Sequence, residues 1–126
     1  MQNEKLKFKE DFVKRLVKFT VDIVRISRKL RGDSSLWSII DQLIRAAGSI
    51  GANVVEAKSS SSKRDYLHFF EIALKSANET KYWLIVLKET VTGFDTDIDR
   101  LCQEADEISK VLAASVLTLK GKKDAF

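Results

Sequence analysis

The single histidine of the chain, His68, stands three residues before Glu71, close enough on a helix for a carboxylate to orient an imidazole as a general base. A general base needs a group to deprotonate, and no serine, threonine or cysteine is paired with His68 in a recognisable nucleophile motif. His68 is therefore read as a surface or interface histidine. Glu56, Glu71 and Glu79 invite comparison with carboxylate di-iron bundles, but such a site takes two Glu-x-x-His pairs, and this chain holds one histidine. Cys102, the only cysteine, excludes an internal disulfide and a multi-cysteine metal site; next to Leu101 it reads as a small buried apolar residue. Gly48-Ser-Ile-Gly51 is too short for a phosphate loop and lacks the Lys-Ser/Thr that would follow. Asn78-Glu-Thr80 matches a glycosylation sequon, irrelevant in a cytoplasmic helix. The expectation is a protein without catalytic residues, metal or cofactor, and not an enzyme.

Two other sets of polar residues are better organised. Lys14, Lys18, Arg25 and Arg28 share one face of a helix, with Arg15 and Lys29 beside them. Such a face can hold phosphates without reading bases, in a strongly salt-dependent manner. Residues 1–31 carry ten basic and four acidic side chains, whereas residues 93–119 carry two basic and six acidic ones. Two uses of this asymmetry stand open: attraction between the first and last helices, within a chain or between subunits, or a basic surface for nucleic acid. The second set, Gln42, Arg45, Ser49, Asn53 and Glu56, recurs at steps of three and four along a stretch crowded with Ala46, Ala47, Gly48, Gly51 and Ala52. It reads as a structural motif. Arg45 has Asp41 or Ser49 as natural partners, and Asn53 and Glu56 are either solvated or part of a network that sets helix register. Two glycines inside a helix each cost about 1 kcal/mol against alanine, so close approach of another backbone is expected there.

Four helices would position these residues. Phe12, Leu16, Phe19, Ile23, Ile26 and Leu30 form an apolar stripe for a first helix over about 8–31, with Gly32 as a left-handed cap. A second helix over about 35–57 follows the capping residues Asp33, Ser34 and Ser35; its stripe is Leu36, Ile40, Leu43, Ala47, Ile50, Val54 and Ala57. A second apolar row, Trp37, Ile44, Gly48, Gly51 and Val55, predicts that this helix is covered on more than one side. After the serine-rich loop 58–63, Ser62 followed by Asp65 resembles a capping box for a third helix over about 63–91. That helix keeps only a narrow polar strip of His68, Glu71, Lys75, Asn78, Tyr82 and Glu89. After the turn at 92–95, Asp95 or Thr96 caps a fourth helix over about 96–119, with acidic residues at its start and Lys120, Lys122 and Lys123 beyond its end. Residues 121–126 are expected to fray.

The chain of 126 residues has no proline, which suits long uninterrupted helices. No apolar run approaches the ~20 residues of a membrane span, and the charged N-terminus lacks a secretory apolar segment, so a cytoplasmic location is expected. Four helices of similar length with short connections predict one all-α domain over residues 1–126, an antiparallel up-down-up-down four-helix bundle.

Gln42-Leu-x-Arg-Ala-Ala-x-Ser-Ile-x-x-Asn-x-x-Glu56 resembles the central motif of the bacterial proteins encoded in 23S ribosomal RNA intervening sequences. Asp65-Tyr-x-x-Phe-x-x-Ile-Ala-x-x-Ser76, Glu79-Thr-Lys-Tyr-Trp-Leu84, Phe12-x-x-Arg-Leu16 and Leu101-x-x-Glu-x-x-Glu-Ile108 are similar to other parts of its pattern. Ala57 departs from it, standing where glycine is usual. The resemblance implies a homopentamer of antiparallel four-helix bundles and a fold similar to the accessory variability protein of diversity-generating retroelements, a basic pentameric barrel that binds nucleic acid and a reverse transcriptase. Two functions are carried forward: an oligomeric accessory module that binds RNA or DNA through Lys14, Lys18, Arg25 and Arg28, or a homo-oligomeric protein scaffold whose third helix is buried between subunits. Neither needs a membrane or a small-molecule substrate.

Overall fold

The computed structural model describes residues 2–121, with the backbone alone at positions 2 and 5. It contains α1 (Gln2–Leu30), a short 3-10 turn (Ser34–Leu36), α2 (Trp37–Ala57), α3 (Lys63–Thr90) and α4 (Asp95–Gly121). Among the described residues there is no strand, and the all-α four-helix bundle is the observed architecture. α2 lies along both α1 and α3, and α3 along α2 and α4, whereas α1 and α4 meet over a shorter length. No described helix is long and apolar enough to cross a membrane.

The apolar stripes become the core. Leu16, Phe19 and Ile23 of α1 are at most 2% exposed, and Ile40, Leu43, Ala47 and Ile50 of α2 at most 1%. Phe70, Ala73, Ala77, Leu84 and Leu87 of α3 meet Ile98, Ala105, Ile108 and Leu112 of α4 in the same cluster. Ser76 and Thr80 are also buried, which an apolar pattern does not reveal. Thr80 is tolerated because its hydroxyl donates to the Ser76 carbonyl, 2.8 Å away on its own helix. Residues 68, 71, 75, 78, 82 and 89 of α3 are exposed, as the narrow polar strip predicts.

The ends of the helices depart from expectation in places. α1 begins at Gln2 rather than near residue 8, because its basic first turns continue the helical pattern without a breaker. Asp33 accepts from the Ser35 backbone N–H at 3.0 Å and starts the 3-10 turn, so α2 proper begins at Trp37. Ser62 caps α3 by accepting from Asp65 N at 3.1 Å. Asp95 is the first helical residue of α4 instead of its cap. α4 also runs through Gly121 instead of fraying at that residue; the rest of the tail, with Lys122 and Lys123, lies outside the described residues.

Gly32 is not a left-handed cap. Among the described glycines only Gly93, at φ +87°, takes that conformation. α1 instead ends in right-handed turns, Arg31 N to Arg28 O and Asp33 N to Leu30 O, while the Trp37 indole donates to the Arg31 carbonyl at 2.8 Å. The two glycines should therefore respond oppositely to alanine. Gly93→Ala is expected to destabilise by about 1 kcal/mol, since a Cβ at positive φ meets its own backbone. Gly32→Ala, with negative φ and nothing within 4 Å of the added carbon, should be neutral or stabilise by up to about 1 kcal/mol through the unfolded chain. Urea midpoints of the two variants measure the contrast.

The close backbone approach expected at the α2 glycines is absent within the chain. A methyl group at Gly51 would meet Leu16 Cβ at 3.5 Å, ordinary contact, and one at Gly48 would meet nothing within 4 Å. Trp37 and Val55 on the same row are half exposed while Ile44 packs against the core, so the chain covers this second row of α2 only in part.

Candidate nucleic-acid interface

α1 is held in the bundle by Leu16, Phe19 and Ile23, and its opposite side faces outward. Lys14, Lys18, Arg25 and Arg28 are all exposed there, spread over about 21 Å of helix at 1.5 Å per residue. Lys18 Nζ lies 3.0 Å from Asp22 Oδ2, a pair with the lysine largely in solvent. Lys14, Arg25 and Arg28 form no ion pair among the described residues. Val17, 57% exposed, and Val21, 39% exposed, stand on the same outward side.

Attraction between α1 and α4 exists, but a different residue carries it. Arg15 donates from Nε and Nη2 to Glu104 at 2.8 and 2.6 Å and reaches Glu107 at 3.2 Å. The forked geometry is the strong form of this contact, and the hydrogen bonds to Glu104 push the Arg15 guanidinium above its ordinary range. The spacing of Glu104 and Glu107 on one face of α4 was the available signal, with Arg15 standing just off the basic stripe. The other acidic residues of α4 are matched mainly by α3 and by α4 itself: Lys88 meets Asp99 at 2.6 Å, Lys81 and Lys110 meet Asp106 at 3.4 and 3.1 Å, and Arg100 meets Asp97 at 3.4 Å. The four outward cations of α1 are left out of this arrangement.

Lys110 and Lys81 hold the Asp106 carboxyl below the usual aspartate range. A lowered folded-state value means the stabilisation is present above the ordinary aspartate pKa and is lost as pH falls through the lowered one. The urea midpoint of the native protein should therefore exceed that of Asp106→Asn at neutral pH, and the difference should shrink on acidification below about pH 4. A difference independent of pH would mean that packing, not charge, is what Asp106 supplies.

The α2 motif divides. Asn53 Nδ2 donates to Ser49 O at 2.8 Å and to Ser49 Oγ at 3.0 Å, and the Ser76 hydroxyl of α3 meets Ser49 Oγ at 2.8 Å. This half-buried network ties α2 to α3 and is structural. Gln42, Arg45 and Glu56 are exposed and take no part in it. Arg45 pairs with neither Asp41 nor Ser49, because Asp41 is taken by Arg31 across the α1–α2 corner at 2.8 Å. His68 is exposed and Glu71 is paired with Lys120 at 3.3 Å, so the two do not form an acid–base pair. Cys102 is half-buried against the core, where burial raises its thiol pKa and disfavours the reactive thiolate.

A family model described as 23S rRNA-intervening sequence protein matches residues 9–114. A solved structure of a protein with unknown function from the S23 ribosomal protein family of Bacteroides thetaiotaomicron VPI-5482 is 31% identical, with a TM-score of 0.78; the match covers 83% of this chain and 97% of that one. No curated protein matches.

Proposed function

The chain belongs to the 23S rRNA-intervening sequence protein family, and from that premise we propose that it is a non-enzymatic, cytoplasmic, homo-oligomeric accessory module that binds the phosphate backbone of RNA or DNA along the outward side of α1. The observation that supports this is the stripe of Lys14, Lys18, Arg25 and Arg28, three of them without an ion-pair partner among the described residues. Backbone phosphates suit these residues, since they are cations on a straight helix with no neighbouring hydrogen-bond pattern for base edges. Repetition of the stripe around an oligomer would add the fields of several copies.

The oligomer is supported by α2 and α3. Gly48, where an added methyl group would meet nothing within 4 Å, shares a row of α2 with half-exposed Trp37 and Val55, and Tyr82 and Ile85 of α3 are 58% and 55% exposed. A second copy pressed on these residues would remove apolar surface from water; five copies is the number the family resemblance implies. The same observation favours a second reading, a scaffold that binds only protein.

Size-exclusion chromatography with light scattering, run with structured RNA at low and moderate salt, separates them. Co-elution that is lost as salt rises supports phosphate binding. An oligomer that never carries RNA supports the scaffold. A monomer in both conditions contradicts the oligomer.

A further inference from the structure

We propose that the cleft between the N-terminal part of α1 and the C-terminal part of α4 binds an amphipathic anion, namely a medium-chain acyl carboxylate. The site is independent of the nucleic-acid reading. It lies between two helices that meet over only a short length, and forms a cavity of about 760 Å³, within the range of small-molecule sites. Its base is built from Phe12, Val54 and Phe70, each no more than 7% exposed. Phe8 stacks on Phe12 with ring centroids 6.3 Å apart yet stays 60% exposed, so an aromatic ring is held open at the edge. Residues 4–12 of α1 and 111–119 of α4 border the cleft over about 12 Å at 1.5 Å per residue, a length suited to a medium chain.

Charge selects the head group. Lys9 and Lys58 border the cleft and form no ion pair among the described residues; Lys9 Nζ lies 5.3 Å from the centre of the Tyr66 ring. Glu4 is the one carboxylate on the lining. Leu119, at the α4 end, also borders a smaller hollow where Arg64 adds a cation on the same side; Lys120 there is already paired with Glu71. On the inner wall the Ser115 hydroxyl donates to Val111 O at 2.9 Å, which leaves it an acceptor but no donor for a ligand. An apolar body with a terminal anion matches apolar walls and bordering lysines better than a group that needs directed hydrogen bonds.

Calorimetric titration of the full chain, in its own oligomeric state, with octanoate, decanoate and dodecanoate below their micelle concentrations tests the site. Affinity should rise about fourfold per added methylene, the ratio that corresponds to ~0.8 kcal/mol per CH₂. Decanol should bind at least fivefold more weakly than decanoate, and Lys9→Glu with Lys58→Glu should erase that preference. Ala114→Trp, filling the cleft from α4, should abolish binding; Thr118→Trp serves if the first variant loses its helical circular dichroism. Absence of binding by all three carboxylates would overturn the proposal, whether a second copy covers the cleft or nothing does. Equal binding of decanol and decanoate, or full binding by a folded cleft-filled variant, would overturn it too.

Discussion

Reversing Lys14, Lys18, Arg25 and Arg28 together to glutamate is expected to strip RNA from the protein at every salt concentration where the native chain carries it. Each phosphate contact contributes a slope of about −0.9 to the dependence of log affinity on log salt for a duplex, so four contacts per chain predict about a hundredfold loss between 50 and 200 mM salt. The reversal removes those contacts and puts four repulsions in their place, taking the formal net charge from +4 to −4, since each substitution changes it by two. All four side chains are exposed and only Lys18 gives up an ion pair, an exposed i,i+4 contact worth a few tenths of a kcal/mol, so the fold should persist. Gel-shift titrations across salt read the effect. A control with the same charge change, Arg100→Glu and Lys110→Glu combined with Lys63→Glu and Arg64→Glu, distinguishes a site from net charge. If the control releases RNA as completely as the α1 variant, the α1 stripe is not the interface.

Phe19→Ala should be the most damaging single change in the core. Phe19 is 2% exposed and among the largest fully buried side chains, one residue from Lys18 but turned to the other side of α1. Truncating a buried phenylalanine removes its transfer free energy and leaves a cavity the surrounding helices only partly fill, about 3–5 kcal/mol in all. A domain of this size holds roughly 5–15 kcal/mol in total, so the melting temperature should drop by more than 10 °C. Thermal unfolding followed by circular dichroism measures it. Paired with the charge-reversal variant, it separates loss of binding through unfolding from loss through the surface: the first should fail in stability before it fails in binding, the second the reverse. A drop of less than 1 kcal/mol would mean that α1 is only loosely seated on the bundle.

Much of the bundle is legible along the chain because its cause is local. Phe12, Leu16, Phe19, Ile23 and Ile26 repeat at helical spacing, and a stripe of that kind can only lie against other apolar stripes. Ser62 and Asp33 mark helix starts because their side chains satisfy backbone N–H groups a few residues on. The outward position of Lys14, Lys18, Arg25 and Arg28 follows from the same periodicity. Residues that a pattern of apolar spacing assigns to no stripe, such as buried Thr80, are harder to place; its burial rests on a hydrogen bond to the Ser76 carbonyl, a contact that spacing alone does not display.

Tertiary structure decided what spacing cannot express, namely which element faces which and at what distance. The sequence alone determined four helices, their core faces and the opposite signs of charge on the first and the fourth. It left open whether the basic first helix spends its charge on the acidic fourth. Within the chain, packing answered that by placing Arg15, rather than its outward neighbours, against Glu104 and Glu107, and by giving Asp97, Asp99 and Asp106 to Lys81, Lys88, Arg100 and Lys110. It also gave Asp41 to Arg31 instead of Arg45, and left Gly48 open where a close neighbour was expected. An ion pair or a close approach depends on the crossing of two helices distant in sequence, and helical periodicity sets the face a residue occupies without setting the partner that the face will meet.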